Sequence, residues 1–274
     1  MRIPVTTLND GYDFPLLGLG TYKLTGDEVE PIVRTAIELG YRHIDTAAFY
    51  GNEVEVGKAI NAAIKAGDVT REELFVTTKL WNDDQERVAE AYQESLERLD
   101  LEFIDLYLVH WPWPQHGTYV KAFEQIAELQ GMGRLQSAGV ANFYPEVLDE
   151  IIQATGISPV LNQVELHAGF TQPELRAYHD EHDIVTEAWA PLARGSNFDD
   201  PAIQAVAEKH GATAAQVSLA YLMQLGCSVV PKTSNPKRLE ENLGAVGVTL
   251  DSEDVAALDG VKGERLSGDP LTFP

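Results

Sequence analysis

Short apolar runs alternate with longer amphipathic stretches along almost the whole chain, and this change of period repeats eight times. Residues 16–21, 41–46, 74–79 and 103–111 read as strands in the first half, and 135–141, 160–166, 184–190 and 228–233 in the second. Helical spacing of apolar positions follows each run, over 27–39, 53–65, 84–99, 119–129, 145–154 and 172–181. A two-helix segment then ends near Gly226, a helix covers 237–245, and a last one covers 252–258. Strands that are apolar with little alternation are buried on both faces, so the pattern predicts a closed parallel sheet wrapped by helices. The expected fold is α/β, a (β/α)8 TIM barrel with extra helices. Turn residues Asn9-Asp10-Gly11 in the opening stretch predict an N-terminal β-hairpin ahead of it. Nothing reads as a linker, so one domain is expected over residues 1–274. A Rossmann sheet is the rival, but after Gly18-Leu19-Gly20 the third glycine of the dinucleotide motif falls at Lys23.

The expected strand ends carry chemistry. Asp45 closes the second strand, Tyr50 lies in the loop after it, and Lys79 and His110 sit at the ends of the next two. In a barrel these ends converge on one mouth, so the four residues meet although they are spread through the sequence. Singly, each has a plain structural reading: a helix cap, a loop aromatic, an exposed strand end, a core histidine. Together they suit delivery of a proton to an oxygen on which negative charge develops. Tyrosine is a weak acid, with a reference pKa of about 10. A neighbouring ammonium is expected to lower that value, with a carboxylate holding the ammonium in place. His110 can orient or polarise a carbonyl. Reducing a carbonyl by hydride creates such an alkoxide, and the hydride must come from a cofactor.

Composition narrows the setting. The net charge of −23, from 20 Lys and Arg against 43 Asp and Glu, repels phosphate backbones and argues against nucleic acid. Lys232, Lys237 and Arg238 form one basic cluster against this background, a candidate anion site. Cys227, the single cysteine, heads an apolar run and is expected to fill core in a reduced, cytoplasmic setting. No stretch approaches the ~18 uninterrupted apolar residues of a membrane span, and the start lacks a signal-peptide core.

Seven segments, in order along the chain, resemble the aldo-keto reductases. They are Gly18-Leu19-Gly20-Thr21-Tyr22, His43 to Glu53 (HIDTAAFYGNE), Thr77-Thr78-Lys79-Leu80-Trp81, Asp105 to Pro112 (DLYLVHWP), Gly139-Val140-Ala141-Asn142-Phe143, Asn162-Gln163-Val164-Glu165 and Pro231-Lys232-Thr233-Ser234-Asn235. Chain length and the short tail look most like the bacterial 2,5-diketo-D-gluconate reductase branch. The resemblance implies Tyr50 as general acid, Lys79 and Asp45 as its tuning pair, and His110 as the carbonyl-orienting group. It implies NADPH as cofactor, its carboxamide held by Asn142 and Gln163 and its ring stacked on Trp189. Gly20, Thr21 and Tyr22 would edge the nicotinamide and pyrophosphate, and Lys232, Thr233, Ser234 and Arg238 would bind phosphate. Asp45, Pro191, Leu192, Glu241 and Asn242 would be further cofactor contacts. Tyr22, Phe49, Tyr50, Trp81, His110, Trp111 and Asn142 would wall a small carbonyl substrate. Two departures are Ala141, where the family usually has serine, and Thr233, where serine is commoner but the hydroxyl is kept.

His179 and His182 share the i, i+3 spacing of a metal motif without a third ligand, so a solvated helix end is expected there and no metal. The rim aromatics, Trp113 among them, are expected to form a broad pocket. Too few residues follow the last helix to build a long closing loop, and no Arg or Lys is evident beside the tryptophans. The expectation is an NADPH-dependent reductase of aldehydes or ketones, α-dicarbonyls and keto-sugar acids included, acting as a monomer without nucleic acid or membrane. The alternatives are a redox-sensing regulatory subunit that holds NADPH with little turnover, and a barrel aldolase using Lys79 as a Schiff base.

Overall fold

The structure, a computed structural model, describes residues 2–273. A hairpin of β1 (Val5–Thr7) and antiparallel β2 (Asp13–Pro15) opens it. Next come β3 (Leu19–Gly20), α1 (Val29–Leu39), β4 (His43–Asp45), α2 (Glu53–Ala66), β5 (Phe75–Leu80), α3 (Val88–Leu99), β6 (Leu106–Val109) and α4 (Tyr119–Gly131). The second half runs β7 (Ser137–Ala141), α5 (Pro145–Thr155), β8 (Leu161–Glu165), α6 (Pro173–Glu181), β9 (Val185–Trp189), α7 (Pro201–His210), α8 (Ala214–Gln224), β10 (Ser228–Val229), α9 (Pro236–Leu243) and α10 (Ser252–Asp259). Strands β3 to β10 lie side by side in sequence order, all parallel. The first and last of these are joined by bridges Leu17 to Val229 and Gly20 to Lys232, so the sheet closes on itself. The expected (β/α)8 barrel is what forms.

The seam strands are shorter than the apolar runs 16–21 and 228–233 suggest. Pro231 has no N–H to give to the ladder, so the seam continues as single bonds, Gly18 N to Val229 O at 2.9 Å and Gly20 N to Pro231 O at 3.2 Å. The sixth strand, β6, also starts later than expected. Ahead of it the Asp105 carboxylate takes the Val76 N–H (2.8 Å) and Arg71 (2.6 Å). The α3 helix begins at Val88 rather than 84 because Arg87 has non-helical backbone angles.

Side chains alternate across a strand, and this decides what fills the barrel. Phe75, Leu106, Leu108, Ala141 and Leu161 pack into one inner cluster with Leu8 and Phe14 of the hairpin. The hairpin therefore plugs the end where the strands begin, Phe14 meeting Phe75 edge-on with ring centroids 4.9 Å apart. Two residues on from these apolar positions, on the same face, come Thr77, His110 and Gln163, with Lys79 two beyond Thr77. The inside of the barrel thus changes from apolar to polar toward the strands' C-terminal ends. A second, larger cluster lies between sheet and helices and includes Ile44, Tyr107, Val140, Phe123 and Cys227, which is core as expected.

Gly57 of α2 sits against the end of α3, where an added Cβ would lie 2.1 Å from the Leu99 carbonyl oxygen. The obstacle is backbone and cannot rotate away. Gly57→Ala should destabilise the fold by at least the ~1–3 kcal/mol typical of overpacking, read as a lower urea midpoint at unchanged slope.

Candidate active site

The loop that carries Tyr50 is fixed from both sides. A 3-10 turn spans Ala48–Tyr50 and ends at Gly51, whose φ of 66° lies in the left-handed region that glycine enters without strain. Asn52, fully buried, accepts from Thr46 Oγ1 (2.8 Å) and donates to the carbonyls of Thr21 and Leu24 (3.0 Å each). Glu53, also buried, begins α2 and accepts from Thr78 Oγ1 (2.5 Å) and Arg98 Nε (2.6 Å). The turn is therefore tied to the strands on both sides, and the phenol projects over the barrel mouth.

Under that phenol lies Lys79, with no exposed surface. Its ammonium donates to Asp45 Oδ1 (2.7 Å), the Thr46 carbonyl (2.8 Å) and Tyr50 Oη (3.4 Å). Burial works against its charge, but Asp45 and Tyr50 outweigh burial, and the lysine pKa is raised. A lysine whose ammonium already donates to three acceptors is poorly placed as a Schiff-base nucleophile, which counts against the aldolase reading. Tyr50 departs from expectation. Burial dominates, Lys79 pulls the other way, Asp45 opposes Lys79, and the phenol is pushed up to about 12. His110 is held well below its ordinary value, first by burial and then by Lys79, so its imidazole is neutral. Its Nδ1 has no hydrogen-bond partner.

A second buried group underlies the first. Gln163 Nε2 donates to both Asp45 Oδ1 (2.8 Å) and Glu187 Oε2 (2.6 Å). Ser228 Oγ donates to Glu187 Oε1 (3.2 Å), which lies 3.5 Å from His43 Nδ1. Burial, reinforced by Asp45, raises the Glu187 pKa, while burial and Lys79 lower that of His43 to about 3. Ligand atoms of His43, Asp45 and Glu187 come within 4.8 Å of one another. The Lys79 ammonium on Asp45 and the Gln163 amide between the carboxyls already occupy the positions a cation would take. Sequence reasoning passed over Glu187 and His43, although a charged residue inside an apolar strand was a visible signal.

The mouth opens into a cavity of about 570 Å³. Of the expected residues it is lined by Gly20, Tyr22, Asp45, Phe49, Tyr50, Trp81, His110, Trp111, Asn142, Gln163, Trp189, Pro191, Leu192 and Lys232. Phe49 stacks on Trp81 with centroids 3.8 Å apart, and Trp81 meets His110 edge-on at 5.2 Å. Asn142 Oδ1 accepts from Trp189 Nε1 (2.9 Å) and Asn142 Nδ2 donates to the His110 carbonyl (3.0 Å).

Not every expected residue lines this cavity. Thr21 does not reach the cavity: it is fully buried, with its N–H and hydroxyl both on the Asp45 carbonyl. Thr233, Ser234, Arg238, Glu241 and Asn242 lie outside the lining, Thr233 and Asn242 buried and Arg238 exposed at the start of α9. Trp113 stacks on His116 instead of walling the cavity. Residues 260–273 do reach the mouth, where Ser267, Gly268 and Phe273 line it and Phe273 stacks on Trp111 at 4.2 Å. Cations are present too, since Lys23 and Arg194 join Lys232 in the lining. No sequence pattern marked the tail or these two loop cations. His179 is not a solvated helix end: it is fully buried, its ring nitrogens 2.9 Å from Asn162 Nδ2 and 2.8 Å from Thr186 Oγ1.

A tyrosine backed by a buried lysine–aspartate pair, beside a neutral histidine in an aromatic cavity, is an arrangement able to give a proton to a bound oxygen. A family profile described as "Aldo/keto reductase family" matches residues 16–262, and the chain belongs to that family. It is 45% identical over 274 residues to methylglyoxal reductase DkgA of Salmonella typhimurium, covering 98% of both chains. To an aldo-keto reductase of Mycolicibacterium smegmatis it is 44% identical over 273 residues, again with 98% coverage of each. A crystal structure of a Gox0644 mutant in complex with NADPH superposes with a TM-score of 0.94 at 42% identity, covering 100% of both chains. Among the described residues no helix is long and apolar enough to cross a membrane.

The raised Glu187 pKa has a consequence for stability. The folded chain keeps this proton after the unfolded chain has lost it near pH 4.3. Stability conferred by the neutral acid is thus complete below that pH and is lost as pH rises through the folded value. Urea titrations from pH 5 to 9 should show the parent losing stability relative to Glu187→Gln, with a slope of up to about 1.4 kcal/mol per pH unit.

Proposed function

We propose that the protein is an NADPH-dependent reductase of small aldehydes and α-dicarbonyls, with Tyr50 as the proton donor. One observation carries the reading: Lys79 Nζ lies 3.4 Å from Tyr50 Oη and 2.7 Å from Asp45 Oδ1 on the cavity floor. The raised phenol pKa keeps the proton on Tyr50 at neutral pH, as an acid must. As a substrate oxygen gains negative charge, the Lys79 ammonium stabilises the phenolate left behind, and Asp45 keeps that ammonium in place. Neutral His110 offers its outward ring nitrogen to the same oxygen and fixes which face of the carbonyl is presented. Phe49, Trp81 and Trp111 wall this step off from water.

The donor set suits a nicotinamide dinucleotide. Gln163 and Asn142 present amides beside the Trp189 ring, and Lys23, Arg194 and Lys232 bring positive charge to the outer cavity of a strongly acidic protein. When bound, the reduced cofactor supplies the hydride. Beyond the cavity, Lys232, Thr233, Ser234 and Arg238 would receive the 2′-phosphate, with Glu241 and Asn242 alongside. No carboxylate lies within salt-bridge distance of Lys232 or Arg238 among the described residues, so both cations are free for an anion. The enterobacterial relatives named methylglyoxal reductases support small α-dicarbonyls as substrates. The intact proton-donor site favours turnover over a regulatory subunit that only holds the cofactor.

Tyr50→Phe should lower turnover by roughly a hundred- to ten-thousandfold while leaving NADPH binding nearly unchanged. Steady-state kinetics on methylglyoxal, paired with NADPH fluorescence titration, tests this; retention of a tenth of parental turnover would sink the assignment. Arg238→Ala should weaken NADPH about ten- to a hundredfold, the worth of a charge-assisted hydrogen bond, and leave NADH almost untouched. Parallel losses for the two cofactors would place the phosphate elsewhere.

A further inference from the structure

Glu165 ends β8 with its carboxylate fully buried, yet it does not line the cavity. All but one of its partners come from the C-terminal tail. The backbone N–H of Leu266 (2.5 Å), the N–H of Ser267 (3.1 Å) and the hydroxyl of Ser267 (2.6 Å) all donate to it, and Arg265 Nη1 lies 4.0 Å away. Against burial, these donors and His167, 3.3 Å away, hold the carboxyl below its ordinary range, so it is charged at neutral pH. The Arg265 guanidinium also donates to Tyr144 Oη (3.0 Å) and lies over the Phe170 ring. Immediately after this anchor the tail puts Ser267 and Gly268 on the cavity wall. A tight turn in which the Phe273 N–H bonds the Asp269 carbonyl (2.8 Å) then lays the Phe273 ring on Trp111.

An isolated carboxylate at this depth is costly unless donors surround it, and here the donors are the tail itself. The tail otherwise has no regular secondary structure to hold it. We propose that Glu165 is a positioning residue that sets substrate selectivity: it fixes residues 265–268 and through them the Phe273 wall, favouring carbonyls large enough to reach that ring. Small carbonyls that stay between Tyr50 and Trp81 gain nothing from it.

The proposal rests on the carbonyl-reductase reading, and its test separates the two. Parent, Glu165→Gln, Phe273→Ala and the double variant are compared with propanal and benzaldehyde as substrates. Glutamine keeps the shape but cannot accept all three tail bonds. Glu165→Gln should raise KM for benzaldehyde about tenfold, equivalent to about 1.4 kcal/mol, with kcat and NADPH affinity changed less than about twofold. KM for propanal should hardly move. In the Phe273→Ala background the same substitution should have no further effect on KM for benzaldehyde. Independently of activity, amide hydrogen exchange at residues 266–273 should quicken in Glu165→Gln while the strands stay protected. Should Glu165→Gln fail to fold, Ser267→Ala, which removes one donor, should shift the benzaldehyde to propanal preference in the same direction by a smaller factor. An active parent whose variants keep the parental substrate ratio, or a Glu165→Gln effect that persists without Phe273, would overturn this inference alone. A parent that turns over no carbonyl would overturn both.

Discussion

Lys79 and Asp45 face each other at 2.7 Å with almost no exposed surface, and the organisation of the barrel mouth follows from keeping that pair together. Two charges removed from water cost several kcal/mol each unless geometry and further hydrogen bonds compensate. Compensation here comes from four directions: the Thr46 carbonyl, the Tyr50 hydroxyl, the Gln163 amide and the strand register that places Asp45 and Lys79 on one face. Each partner brings a constraint. Thr46 needs Asn52, Asn52 ties the loop to Thr21 and Leu24, and that tie holds Tyr50 over the ammonium. Gln163 in turn needs Glu187 as a second acceptor. The arrangement at the cavity floor is the surface of a buried polar network, and most of its members do not line the cavity.

The same network explains why the tyrosine is a weaker acid than a neighbouring lysine alone would make it. Lys79 does favour the phenolate, but its charge is largely spent on Asp45, whose own charge opposes ionisation of the phenol. With burial added, the proton stays on Tyr50 at neutral pH. On the proposed reading, a group tuned this way suits donation in reduction. In the reverse direction, removing a proton from an alcohol would require the phenolate that the site disfavours.

Much of this was legible in the sequence because barrel geometry is written in a short period. Strand runs ending in Asp45, Lys79 and His110 fixed which residues would meet, and the hairpin followed from Asn9-Asp10-Gly11. Helix and strand ends were legible only to within a few residues, since Pro231, Arg87 and the Asp105 side chain change the ladder locally. Hidden features share one cause: they depend on where irregular chain folds in three dimensions. Thr21 turns inward to the Asp45 carbonyl, Trp113 turns aside to His116, and the tail returns across the mouth to Trp111. No periodicity encodes such choices. Glu187 was legible as an anomaly, a carboxylate inside a strand, but its Gln163 partner lies 24 residues away, and the tail donors to Glu165 lie 101 or more residues away.

The seam of the barrel also bears on when the site comes into being. Leu17 pairs with Val229 and Gly20 with Lys232, so the contacts that shut the sheet span most of the chain. Contacts of such long sequence separation form late, because the loop-closure entropy must be met before they return any stabilisation. Until then Gly20 and Lys232, on opposite sides of the seam, cannot face one cavity. Neighbouring strand and helix pairs can assemble progressively as the chain emerges. A complete cavity, by contrast, should arrive in one step when the seam closes, and a folding intermediate with an open sheet would hold Lys79 and Asp45 without the Gly20–Lys232 side of the cavity.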